Sequence, residues 1–204
     1  MSEPKKGYLP LFASNVIFLE VEEDTDELKT AGSVKSANVT TRIEDRDSFR
    51  ILEKYPRVRD IILDKWKMVA DEFFKYKHDF AITTSWITEV QPGSSSQVHS
   101  HFNSLISGVY YFDTYDEFSS DIEFINPLTK FQSFWIEPRE PSLACSTLWT
   151  LPPRDKQLIF FPSYLEHRVA IHRGDETRYS LAFNIVPTGL IGGADSSYNN
   201  KWFN

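Results

Sequence analysis

Cysteine is nearly absent from this 204-residue chain: Cys145 stands alone, so no internal disulfide can form, as in a reducing compartment. Long apolar runs are missing too. The longest uncharged apolar stretches are strand-sized, such as Leu158–Phe161, against the ~20 residues that a membrane span needs. The opening Pro4-Lys5-Lys6-Gly7 is polar and is followed by no apolar leader. Excess positive charge is lacking: 22 Lys and Arg face 29 Asp and Glu, a net charge of −7, which argues against wrapping a phosphate backbone. Repeats and low-complexity tracts do not occur, which removes solenoids. The apolar fraction of 41% and the 15% of aromatics are those of one ordinary, β-rich globular core. The expectation is a cytoplasmic protein (host cytoplasm if viral) with no nucleic-acid or membrane partner.

The first 50 residues pair a short apolar run, Val16–Val21, with an acidic cluster from Glu20 to Glu27, expected as an edge strand and a solvated segment. A helix is expected from Pro56 to near His78. Pro suits its first turn, and Val58, Ile61, Ile62, Lys65, Val69, Phe73 and Phe74 form its apolar stripe with Trp66 on the flank. His78 would then favour the helix C-terminus. Beyond Phe80 the period changes to two. Ile82–Val90, Gln97–His101, Ser107–Phe112, Asp121–Ile125, Leu143–Trp149, Gln157–Phe161, Arg168–His172 and Arg178–Val186 are strand candidates, with prolines between or just past them. Many short strands without intervening helices predict a mainly β fold of jelly-roll type. The division expected is one domain, 1–204: an N-terminal strand and helix support (1–80), a barrel core (81–187) and a tail (188–204) that docks through Trp202 and Phe203.

Four of the five histidines fall in the β region. His99 and His101, two apart, would leave the same strand face, and His167 follows the apolar strand Gln157–Phe161. Two imidazoles on one strand and a third from a later one can make a facial metal site with positions left open for substrate and O2. The other reading of His99-Ser100-His101 is a wet loop, since four polar residues precede it. His172, an odd offset from His167, reads as surface. Arg178, Ser180, Ala182 and Asn184 share a strand face by the period of two. A guanidinium there either binds an anion or pairs with a surface carboxylate.

Taken in order, His99-Ser100-His101, Ser107–Phe112, Leu158–His167 and Arg178–Asn184 resemble the 2-oxoglutarate/Fe(II)-dependent oxygenase superfamily, most of all a branch known from marine bacteria and their phages. The resemblance covers about residues 84–187. It implies a double-stranded β-helix, or cupin-like barrel, and a dioxygenase that couples oxidative decarboxylation of 2-oxoglutarate to hydroxylation of a small-molecule or peptide substrate by O2. It puts His99 and His167 on Fe(II), Arg178 and Ser180 on the far carboxylate of 2-oxoglutarate, Tyr111 beside them, and Asn103 near the other carboxylate or the metal-bound water. The chain departs from the superfamily at His101, where a carboxylate is usual; a three-histidine site, or water in the third position, is expected. Glu166 should point away from the metal. A homodimer is compatible with this reading. Two alternatives stand beside it. A three-histidine cupin would want a Glu soon after the pair, where Asn103-Ser104-Leu105 has none, and a non-enzymatic jelly-roll module would bind neither metal nor cosubstrate.

Overall fold

The computed structural model describes residues 13–31, 35–36, 49–134 and 136–200. The Trp202 and Phe203 docking expected above lies outside them. The large sheet has the order β1-β7-β4-β9-β3-β2, with β1 (Ile17–Glu20) at one edge, β2 (Lys35–Ser36) at the other, and β3 (Phe80–Val90), β4 (Ile106–Tyr110), β7 (Gln157–Pro162) and β9 (Arg178–Pro187) between. A smaller sheet runs β6-β5-β8, made of β6 (Leu148–Leu151), β5 (Ile122–Ile125) and β8 (His167–Val169). A last hairpin joins β10 (Gly189–Ile191) to β11 (Tyr198–Asn200). Every pairing within these sheets is antiparallel except β2 with β3. The acidic segment after β1 is largely exposed, as expected of a solvated face.

The period-two reading of the strands explains two separate apolar layers. Leu158 and Phe160 of β7 face one core with Leu181, Phe183 and Ile185 of β9 and Ile87 of β3. Ile159 and Phe161, one residue out of phase, face the other, between the sheets, with Val109, Tyr111, Ile122, Phe124 and Leu165. Gly108 of β4 sits where these layers press closest. A Cβ there would lie 2.3 Å from the Phe183 ring and 2.8 Å from the Ile159 carbonyl oxygen, so only glycine fits.

Helices α1 (Ile51–Lys54) and α2 (Pro56–Val69) cover the first layer, with Pro56 in the first turn of α2 as expected. The helix stops earlier than the sequence suggests. A π-type turn, Ala70–Phe74, follows α2, and Lys75 adopts a left-handed φ of 57°, so His78 lies beyond the helix instead of at its end. Its buried face is Val58, Ile62, Trp66 and Val69. Trp66 is therefore the centre of the contact and not its flank, while Phe73 is exposed. The Trp66 ring lies 5.3 Å from Phe160, 5.4 Å from Phe80 and 5.8 Å from Phe74, the tilted and edge-on geometry that aromatic quadrupoles favour. Among the described residues, no helix is long and apolar enough to cross a membrane.

Three strand expectations change. Arg168–His172 is strand only as far as Val169, since β8 is His167–Val169 and residues 170–172 are irregular. Leu143–Trp149 is irregular up to Leu148, and the strand runs on to Leu151 instead. Gln97–His101 is no strand; a lone antiparallel bridge joins His99 to His167. The polar run Ser94–Gln97 pairs with the edge of the small sheet only in places, through the Ser96 N–H on the Val169 carbonyl (3.1 Å) and the Val169 N–H on Ser96 Oγ (2.7 Å).

Candidate metal centre

Although His99 and His101 leave a loop and not a strand, three backbone bonds hold them. The His99 and His167 amides exchange hydrogen bonds with each other's carbonyls at 3.0 and 2.9 Å, and the His101 N–H donates to the Ser163 carbonyl at 2.9 Å. The turn from β7 to β8 thus docks the His99-Ser100-His101 segment opposite His167. Candidate ligand nitrogens of His99, His101 and His167 all lie within 4.8 Å of one another.

The ring tautomers follow from the second nitrogen of each ring. Nδ1 of His99 is 2.8 Å from the Gln97 carbonyl oxygen, and Nδ1 of His167 is 2.9 Å from that of Leu165. A carbonyl only accepts, so both Nδ1 atoms carry a proton; in the neutral ring that leaves the lone pair on Nε2, the arrangement of metal-bound histidines. Nε2 of His101 lies 3.4 Å from Nε2 of His167. Two ligands about 2.1 Å from one ion, at angles near 90–110°, stand about 3.0–3.4 Å apart. Burial, the neighbouring His99 and then His101 lower the His167 pKa to about 3, against the bond to Leu165, so this imidazole is neutral and ready to ligate. Trp86 stacks on His101, with ring centroids 5.7 Å apart. Glu166 is exposed and turned away.

The three rings open onto a cavity of about 620 Å³. Arg178, Ser180, Ala182 and Asn184 of β9 all line it, the face that their spacing predicts, together with Thr84, Trp86 and Thr88 of β3. Arg178 is 4% exposed, and its Nε has no hydrogen-bond partner. Its Nη1 reaches Ser180 Oγ only at 3.5 Å, and its guanidinium lies over the Tyr111 ring, 5.0 Å from the centroid. The Tyr111 hydroxyl is likewise buried and unpartnered. Burial above all raises its pKa, so it stays a donor. Asp121 is near enough for the guanidinium to act on its carboxyl, yet burial dominates and holds that pKa above the usual range. A buried cation beside an idle hydroxyl donor is a costly arrangement that an anionic ligand would relieve.

A polar floor lies beside the metal end. Ser107 Oγ donates to Asn184 Oδ1 at 2.7 Å and lies 2.9 Å from Ser163 Oγ, while Asn184 Nδ2 donates to Thr84 Oγ1 at 2.9 Å. Ser163, whose carbonyl holds His101, is the residue that sequence reasoning passed over, though it follows the Phe161-Pro162 signal directly.

Two expectations do not hold. Asn103 is exposed in the turn after His101, with a φ of 57°, and is not among the residues lining the cavity. His172 is not on the surface but 2% exposed; it accepts from the Ser120 N–H at 3.3 Å and its Nε2 lies 2.6 Å from the Glu176 carbonyl. The parity argument does not apply, because the strand that starts at His167 ends at Val169 and His172 lies in the loop beyond it. Its surroundings are a loop junction and not solvent.

Comparison with known proteins agrees with this geometry. Residues 84–184 match the family described as "Putative 2OG-Fe(II) oxygenase". Among curated proteins, none matches the chain. HygX from Streptomyces hygroscopicus, solved with nickel and 2-oxoglutarate bound, is 12% identical and superimposes with a TM-score of 0.54 over 86% of this chain and 83% of its own. SnoK, a non-heme alpha-ketoglutarate-dependent carbocyclase from nogalamycin biosynthesis, is 11% identical with a TM-score of 0.54 over 84% and 79%. A 2OG-Fe(II) oxygenase-family oxidoreductase from Burkholderia pseudomallei, 14% identical, superimposes at a TM-score of 0.44 over 58% of this chain, which spans half of that protein's length. At such identities the likeness is one of fold, and the fold is the double-stranded β-helix.

Proposed function

We propose that the chain, whose residues 84–184 match the 2OG-Fe(II) oxygenase family, is a dioxygenase of the 2-oxoglutarate/Fe(II)-dependent superfamily that hydroxylates a small molecule or peptide side chain. His99, His101 and His167 hold the iron through their Nε2 atoms. Arg178, with Ser180 and the Tyr111 hydroxyl, holds the far carboxylate of 2-oxoglutarate. The iron and 2-oxoglutarate, when bound, supply O2 activation coupled to loss of CO2 and formation of succinate. The chain's own residues orient both and shield them from water. His101 takes the place where the superfamily usually has a carboxylate, leaving the iron one unit more positive.

The observation that carries this reading is the buried Arg178 guanidinium and Tyr111 hydroxyl, both with unpartnered atoms, beside the cavity that the three imidazoles share. A non-catalytic jelly roll has no use for such a pair. We further read residues 1–204 as one domain, acting in the cytoplasm with no nucleic-acid or membrane partner; a homodimer is compatible with it.

The test is calorimetric titration of 2-oxoglutarate under argon, with and without Fe(II). The reading expects binding that needs the metal and is lost in Arg178→Ala. Equal affinity with and without Fe(II), or an unaffected Arg178→Ala variant, would overturn it.

A further inference from the structure

Tyr115 touches the whole frame of the anion site without belonging to it. Its hydroxyl donates to the Tyr179 carbonyl at 2.6 Å, and Tyr179 is the residue between the two proposed anion donors, Arg178 and Ser180. The same hydroxyl accepts the Asp113 N–H at 3.2 Å, tying the loop after β4 to the first residues of β9. Its ring meets Tyr111 edge-on, with centroids 5.3 Å apart at 74°, and the guanidinium of Arg178 lies over that same Tyr111 ring. One side chain therefore braces the start of β9, whose other edge pairs with Thr88–Val90 of β3, and also meets the aromatic bed of the guanidinium. No pattern in the sequence marks it, because a loop tyrosine three residues beyond Phe112 has no period to join.

We propose that Tyr115 is a positioning residue that sets the distance between the Arg178 guanidinium and the metal centre, and so makes the site select for the length of a 2-oxo dicarboxylic acid. The inference rests on the reading of Arg178 as the 2-oxoglutarate anchor. The physical reason is leverage. An anion held at both ends, by a metal and by a guanidinium, is bound best at one span, and a strand start free to move by a few tenths of an ångström no longer enforces that span. A hydroxyl that pins the peptide between two anion donors removes this freedom more directly than packing around either side chain would.

The experiment uses the full chain loaded with Fe(II) under argon and three probes: oxaloacetate, 2-oxoglutarate and 2-oxoadipate, with four, five and six carbons. The parent is expected to prefer 2-oxoglutarate. Tyr115→Phe, which keeps the ring edge and loses the hydroxyl, should bind 2-oxoglutarate about three- to tenfold more weakly, the size of one lost hydrogen bond. It should bind the other two acids with little change, narrowing the preference, and Fe(II) affinity should not move. Tyr115→Leu, which also removes the edge contact on Tyr111, should narrow it further. In the unmodified protein, 2-oxoglutarate should slow hydrogen exchange across residues 113–115, a readout that needs no variant. Unchanged 2-oxoglutarate affinity in Tyr115→Phe, an equal loss for all three acids, or no slowing of exchange would each overturn the inference. If the parent binds none of the acids, it is the reading of Arg178 that fails, and this inference with it.

Discussion

Strand β9 presents two chemistries on its two faces. Toward the helices, Leu181 and Ile185 are fully buried among Trp66, Leu158 and Phe160. Toward the cavity, Arg178, Ser180, Ala182 and Asn184 alternate with them and bring a cation, a hydroxyl and an amide to nearly the same depth. The helix-side face follows the general rule that interiors are apolar and dense. The cavity face breaks it, leaving Arg178 Nε and the Tyr111 hydroxyl without partners. On the proposed function, one strand carries stability on one side and binding on the other, so that damage to each should be separable.

Trp66→Ala should give the largest loss of stability. Removing the ring that meets Phe74, Phe80 and Phe160 leaves a cavity in the first layer, and large-to-small aromatic changes cost about 3–5 kcal/mol. A denaturant titration should show that loss, while the protein that remains folded binds Fe(II) as the parent does. If metal affinity falls with stability, the two faces are not independent.

Arg178→Ala is the converse. It should weaken 2-oxoglutarate by about 2–5 kcal/mol, the usual effect of truncating one partner of a buried charge pair. The melting temperature of the metal-free protein should not fall, because a buried guanidinium whose Nε has no hydrogen-bond partner has been removed. A lower melting temperature would give Arg178 a structural role.

Acid should act next, through His167. Its pKa is lowered from 6.5 to about 3 in the folded chain, so the unfolded chain binds more protons between those values. Stability from this group is complete above about pH 6.5 and is lost as pH falls toward about 3. Metal-free His167→Gln should show a flatter decline over that window in urea titrations; an identical decline would assign the acid sensitivity elsewhere. The smallest effect is expected at Asn103, where Asn103→Ala on the exposed turn should change neither stability nor 2-oxoglutarate affinity by more than about 0.5 kcal/mol.

What could be read beforehand followed regular periods. The alternation in β7 and β9, and the order of the four motif segments, carried the two-layer barrel and the facing of Arg178, Ser180 and Asn184. The histidine cluster was legible as spacing, although the strand thought to carry His99 and His101 is a loop held by His167 and Ser163. Where the chain leaves regular structure, no period survives to be read. The π-type turn after α2 shortened the helix, and Trp66 moved to the centre because its large ring is drawn to the aromatic cluster. Proximity in sequence points to Asn103, but it lies exposed in a left-handed turn and does not line the cavity.

On the proposed function, three imidazoles from a loop and a strand form one metal site with His101 as a full ligand. Its most direct test is titration of Fe(II), under argon, into the parent and into His99→Ala, His101→Ala, His167→Ala and His101→Asp. One Fe(II) per parent chain is expected, with comparable losses in all three alanine variants and retention in His101→Asp. Parent-like affinity in His101→Ala would leave His99 and His167 as the only protein ligands and contradict this reading.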